Sequence, residues 1–219
     1  LHAMNKALEV EEFRRILSNL ELPLFNVMYA DRQNELFYVF NARTPQRAGT
    51  FDWRSPVPGW ASETEWGRIL PFERLPQVAN PVAGFMQNCN VAPDLITIDS
   101  GLNPDDYPQF LGWGTFNDRG RRAMTWLSAR SDITVEEMKR LARDTYLIAA
   151  EELKGTIFAA YNHSWHEIYD PDGSLAGAIE VLRDWDNRAT VESRGTLLFC
   201  IWKTRFDPLI LQIPTDQRS

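Results

Sequence analysis

The sequence predicts an α+β protein, strand- and loop-rich in its first half and helical in its second. Three features carry this reading: a pair of short apolar runs flanking a polar turn, a proline-punctuated stretch without helical period, and a change to helical spacing after Arg119. The compositional change falls near residue 115. It divides the chain into a strand and long-loop part, 1–115, and a mainly helical part, 116–219, which together read as one incomplete domain.

The first element is a helix over about residues 5–20, with Leu8, Phe13, Ile16, Leu17 and Leu20 on one face and Pro23 as the stop. Phe25–Ala30 and Leu36–Phe40 follow as strands of a β-hairpin. The turn Asp31-Arg32-Gln33-Asn34-Glu35 offers Asn34 for a left-handed position, which Asn tolerates better than most residues. From 41 to 115, Pro45, Pro56, Pro58, Pro71, Pro76, Pro81 and Pro93 interrupt the chain, while Trp53, Trp60 and Trp66 argue for packed loops over disorder. Long ordered loops of this kind commonly line a site. Beyond Arg119, Thr134-Val135-Glu136-Glu137 has the form of a capping box. The helix it opens runs through Met138, Leu141, Thr145, Ile148 and Leu153, with Gly155 as its stop. Asp170-Pro171-Asp172-Gly173 marks a turn, and helices follow at Leu175–Trp185 and around Ser193–Lys203. There is no internal repeat and no low-complexity tract.

Composition narrows the function classes. A chain of 219 residues with 44% hydrophobic content supports one sizeable domain or two small ones. The net charge of −7 argues against a nucleic-acid partner, whose phosphates require a basic face. No run of about 18 consecutive apolar residues is present, so no membrane span is expected. Leu1-His2-Ala3-Met4 lacks the features of a signal peptide, and the chain reads as a fragment that starts in mid-structure. Cys89 and Cys200 are too few for a disulfide scaffold and read as buried thiols, with a bridge between them left open. His163 and His166 stand three apart but lack a third ligand at metal-site spacing, so a surface loop is the favoured reading there. No Gly-x-Ser-x-Gly motif supports a serine triad. The tryptophan-rich loops suit carbohydrate binding, but they suit loop packing equally.

Three stretches, in register, carry a family resemblance. The first is Tyr29-Ala30-Asp31-Arg32-Gln33-Asn34-Glu35-Leu36-Phe37-Tyr38 with Thr44-Pro45-Gln46-Arg47. The second is Pro71-Phe72-Glu73-Arg74-Leu75-Pro76 with Asn80-Pro81-Val82-Ala83-Gly84-Phe85-Met86-Gln87-Asn88-Cys89-Asn90 and Pro93. The third is Asp118-Arg119-Gly120-Arg121-Arg122, then Arg143-Asp144-Thr145-Tyr146 in the helix, and Trp185-Asp186. Their order resembles the middle of the β-chain of penicillin-amidase-family acylases, over about residues 5–205. The Gln-Asn-Cys-Asn form is closer to the lactone- and aculeacin-acylase side of that family. The chain departs from the pattern with Asn34 at a turn position where Gly is usual, and with Ala42 where Gly often precedes the Arg-x-Pro segment.

The resemblance implies part of a four-layer αββα N-terminal-nucleophile hydrolase fold. It also implies hydrolysis of the acyl side-chain amide of a small molecule: an acyl-homoserine lactone, a β-lactam or an acylated peptide. In such enzymes the first residue of the β-chain is the nucleophile and its own α-amine the base. Leu1 has neither hydroxyl nor thiol, so the nucleophile is expected on another segment and the chain alone is expected to be inactive. The family's oxyanion Asn aligns with Asn90 and its active-site Arg with Arg119, with Arg121 and Arg122 as close alternatives. Asn88 and Gln87 are candidates for the same wall, or for pinning the loop. Without the resemblance, Asn90 reads as a turn cap and Arg119 as a solvated cation. Expected partners are the remaining α- and β-chain segments, including the nucleophile-bearing chain, and the small-molecule amide. No cofactor is expected. Some members bind calcium through carboxylates, and Asp105-Asp106 is a candidate contributor left unassigned. The resemblance also implies a periplasmic or secreted protein. The alternative reading is an isolated acylase-like domain acting as a binding or assembly module.

Overall fold

Strand β2 (Leu36–Ala42) is nearly all buried, and the first half of the protein is arranged around it. It pairs antiparallel on one side with β1 (Leu24–Ala30), from Leu24 opposite Ala42 to Ala30 opposite Leu36. On the other side it pairs antiparallel with the short β3 (Gln77–Ala79), Tyr38 facing Val78. The computed structural model describes residues 1–162, 170 and 172–211. The chain divides into two compact units, Leu1–Ser131 and Asp132–Ser219. The boundary lies downstream of the compositional change at 115 because helix α2 (Asp118–Ser128) packs into the first unit, its Gly120 against Val91.

Side chains alternate along a strand, so β2 presents two apolar faces. Phe37 and Val39 join Leu17, Leu70, Phe72, Leu75 and Leu111 in one core. Tyr38 joins Val78, Val91 and Ile96 in another. The hairpin turn is built as expected. Asn34 has φ of 66°, and Asp31 Oδ1 accepts from the backbone N–H groups of Gln33 and Glu35 while Oδ2 accepts from the Tyr29 hydroxyl. Burial alone would raise the Asp31 carboxyl, but these donors prevail and hold it below the ordinary carboxylate value. At Ala42, buried at the end of β2, the backbone does not require Gly, since it is not among the residues of positive φ.

The amino-terminal helix is shorter than its sequence predicts. Met4–Lys6 forms a 3₁₀ turn, and α1 is confined to Val10–Leu17. Leu8, an expected apolar anchor, is 87% exposed, and its N–H, ahead of the N-cap position, donates to Glu12 Oε2. Leu20 then adopts φ of 52°, ending the helical run before Pro23. Apart from the end of β2 and the short β3, the 41–115 segment is ordered loop with 3₁₀ turns. Gln46 N–H donates to Arg68 O and Leu70 N–H to Thr44 O, and the Arg47 guanidinium lies over the Trp53, Trp66 and Phe110 rings.

The second unit contains α3 (Val135–Leu141), α4 (Ile148–Asn162), α5 (Ser174–Asp184) and α6 (Arg194–Leu211). The Thr134–Glu137 capping box is present with both of its hydrogen bonds. One predicted helix is two here. Residues 142–147 leave the helix because Leu147 N–H donates to Asn187 O, Ala189 N–H donates to Thr145 O, and Arg188 pairs with Asp144 at 2.7 Å. Gly155 lies inside α4 and does not stop it. A glycine costs a helix only about 1 kcal/mol relative to Ala, and the packing of Leu153, Ile157 and Phe158 around the Ala149–Trp185–Phe199 core outweighs that. Lys154 Nζ donates to Trp185 O and Asn187 Oδ1, and burial pushes its pKa down against the opposing Asp186 charge. Neither cysteine is buried: Cys89 is half-buried, Cys200 is exposed, and both are free thiols. Among the described residues no helix is long and apolar enough to cross a membrane.

Nothing lies within 4 Å of a Cβ built on Gly155. Gly155→Ala should therefore stabilise the protein by about 0.5–1 kcal/mol, read as a raised Tm; a lowered Tm would contradict a continuous α4. For the hairpin, a carboxyl held below its unfolded pKa stabilises above that pKa, and the contribution disappears as pH falls through the folded value. Acid titration of stability should show a component in this range that is missing in Asp31→Asn.

Candidate functional site

The second face of β2 carries the loop that holds Asn90. Residues 85–97 leave and return to one place, pinched by three hydrogen bonds. Gln87 N–H donates to Ile96 O at 2.8 Å, Gln87 Nε2 to Leu95 O at 2.8 Å, and Thr97 Oγ1 to Phe85 O at 2.7 Å. Val91 and Ile96 seat the loop on Tyr38, whose hydroxyl donates to Asn26 Oδ1 at 2.6 Å and whose pKa is raised by burial, with the Asp94 charge adding to it. With its base fixed, the loop presents residues 88–90 at its tip.

Asn90 stands in the left-handed region, with φ of 61°. Asn88 Oδ1 accepts the Asn90 N–H at 3.0 Å, an Asx turn that supports this conformation. The Asn90 side chain is exposed, and its Oδ1 accepts from Arg119 Nη2 at 2.7 Å. The same Nη2 donates to Cys89 O at 3.1 Å. Since the amide oxygen is engaged by a cation, the Nδ2 group of this exposed side chain is left as the donor. A guanidinium on the oxygen withdraws electron density from the amide and strengthens its N–H donors. The arrangement can therefore donate a hydrogen bond to an acceptor on which negative charge develops.

Arg119 lies in the first turn of α2, which Asn117 caps: Asn117 Oδ1 accepts Gly120 N–H at 2.9 Å, and Asn117 Nδ2 donates to Cys89 O at 2.8 Å. Asn-Asp-Arg ahead of a helical run is a recognisable N-cap signal, but the bond from that cap to Cys89 has no signature in sequence. Gly120 is also required here. A Cβ on it would lie 2.6 Å from Val91 Cγ1 and 3.1 Å from Phe116 Cδ1, so α2 comes this close to the loop only with glycine.

The structure thus brings Asn90 and Arg119 together across 29 residues of sequence. The alternatives differ: Arg121 pairs with Asp118 at 2.7 Å, and Arg122 is half-buried on α2. Gln87 is 6% exposed and faces inward as a loop clasp, and Asn88 acts on the Asn90 backbone. Gln87 Oε1 and Asn88 Nδ2 are buried without a hydrogen-bond partner among the described residues. Asp105 and Asp106 sit in a 3₁₀ turn capped by Asn103, and no group of three or more His, Cys, Asp or Glu among the described residues is placed to hold a metal ion. His163 and His166 lie outside the described residues. A separate open cleft of about 490 Å³, lined by Glu11, Arg14, Phe72 and Tyr107 among others, includes neither Asn90 nor Arg119.

The fold resembles that of the thermostable penicillin G acylase of Alcaligenes faecalis, with a TM-score of 0.65 at 24% identity, over 97% of this chain and 37% of that one. Residues 1–215 match the penicillin amidase family, and the chain belongs to that family. Penicillin G acylase of Escherichia coli is 40% identical over 191 residues, 82% of this chain and 21% of its own length. Penicillin acylase 2 proenzyme of Pseudomonas sp. (strain SE83) is 25% identical over 177 residues, 72% and 21% respectively. The chain thus spans about a fifth of the length of these relatives.

Gly120→Ala should force α2 away from the loop at a cost of about 1–3 kcal/mol, seen as a lower Tm of the intact protein. An unchanged Tm would show that helix and loop are not in this contact.

Proposed function

We propose that this chain is the segment of a penicillin-amidase-type acylase that supplies the oxyanion-stabilising Asn90 to a nucleophile carried by another part of the protein. The supporting observation is the exposed Asn90 carboxamide, held by Arg119 through its oxygen at 2.7 Å, which leaves its Nδ2 as the donor. When a terminal hydroxyl or thiol attacks an amide carbonyl, negative charge grows on the carbonyl oxygen. A preorganised side-chain amide stabilises that charge by about 3–4 kcal/mol. In this reading Arg119 fixes the rotamer of Asn90 and polarises it, so the donor need not reorganise as the charge appears.

The substrate class is the acyl side-chain amide of a small molecule: an acyl-homoserine lactone, a β-lactam or an acylated peptide. The names of the relatives, both penicillin acylases, favour such amides. On this reading the acyl pocket and the nucleophile come from the remaining chain segments, and this chain alone is inactive. On this reading the protein works in the periplasm or outside the cell.

In the intact protein, Asn90→Ala should lower kcat by about a hundredfold or more while KM changes little. Turnover at the wild-type rate in that variant would remove Asn90 from the site, whereas no amide hydrolysis by the unmutated intact protein would favour the reading of a non-catalytic acylase-like module.

A further inference from the structure

We infer that Asn117 is a positioning residue for the reaction, joining the start of α2 to the peptide that carries Asn90 and so fixing where the Asn90 amide points. The inference rests on the oxyanion reading of Asn90. It goes beyond that reading by giving a role to a residue outside the matched motifs.

The peptide between Cys89 and Asn90 is a rigid plane held on both edges. Its N–H donates to Asn88 Oδ1 at 3.0 Å. Its carbonyl accepts two donors, Asn117 Nδ2 at 2.8 Å and Arg119 Nη2 at 3.1 Å. These donors are unequal. Arg119 is a long, exposed side chain whose one Nη2 is divided between Cys89 O and Asn90 Oδ1. Asn117 is short and half-buried, and its other end is fixed because Oδ1 accepts Gly120 N–H at 2.9 Å. The orientation of its carboxamide is settled by these two partners: flipped, it would set NH₂ against an N–H and C=O against a C=O. The same amide group therefore caps α2 and clamps the loop tip. Without the clamp, the peptide plane depends on a flexible cation, and both the Asn90 backbone and the Arg119–Asn90 contact lose their common reference.

Capping and clamping can be separated by substitution. Serine caps a helix about as well as asparagine but is too short to reach Cys89 O. In the intact protein, Asn117→Ser should keep the capping share of stability that Asn117→Ala loses, giving the higher Tm of the two. It should nonetheless lose kcat about tenfold or more, with KM within about twofold, as expected for a misplaced donor. Asn117→Asp, which caps but presents an oxygen to the carbonyl, should lose at least as much. In an Asn90→Ala background, Asn117→Ser should cost no further kcat, because its effect runs through Asn90. Wild-type kcat in Asn117→Ser, a loss carried by KM, or a full additional loss in the Asn90→Ala background would each overturn the inference. If Asn90→Ala is itself impaired and Asn117→Ser is not, only the positioning role falls. If Asn90→Ala turns over normally, the oxyanion reading falls and this inference falls with it.

Discussion

A strand that must be buried on both faces constrains what surrounds it, and β2 imposes that constraint on the first unit. With β1 and β3 satisfying its backbone on either side, Phe37 and Val39 draw α1 and the 70–75 segment to one face, and Tyr38 draws the 85–97 loop to the other. The loop is irregular backbone, yet its base is as fixed as a secondary-structure element, because Gln87 and Thr97 tie its ends together and Val91 and Ile96 are anchored in apolar contact. The tip can then be exposed without being loose. Polar chemistry at Asn90 rests on apolar packing one residue away, at Val91.

Much of this architecture is legible in the sequence because it rests on local patterns. Two short apolar runs around a polar turn mark the hairpin, Asn34 marks its left-handed position, and Thr134 with Glu137 marks the start of α3. Legibility fails where a tertiary contact overrides a local preference. Gly155 has the look of a helix stop, yet the packing of its neighbours carries α4 through it. The run across 142–147 has helical spacing, yet Asn187, Arg188 and Ala189, far along the chain, take up its polar groups. Leu8 fits an apolar stripe but lies in solvent, and the helix begins two residues beyond it.

The candidate site divides in the same way. Asn90 and Arg119 could be picked out only through motifs shared with a family, since an isolated Asn or Arg carries no such message. That Arg119 and not Arg121 reaches Asn90 depends on where each side chain leaves the first turn of α2: Arg121 is within reach of Asp118 one turn back, whereas Arg119 faces the loop. The role of Gly120 was hidden for another reason. A glycine in the first turn of a helix looks like a weak former, and only the nearness of Val91 shows that the missing Cβ is what lets helix and loop meet.

The positive φ at Asn90 has a consequence for what this position can become. Two residue types enter the left-handed region easily, glycine and asparagine, with aspartate a short distance behind. Glycine has no side chain to offer. In the proposed oxyanion role, aspartate would set an anion against a forming anion, and glutamine would bring the amide on a side chain the backbone accommodates less well. Under that proposed role, backbone geometry and chemistry, each permissive when taken alone, intersect in a single amino acid.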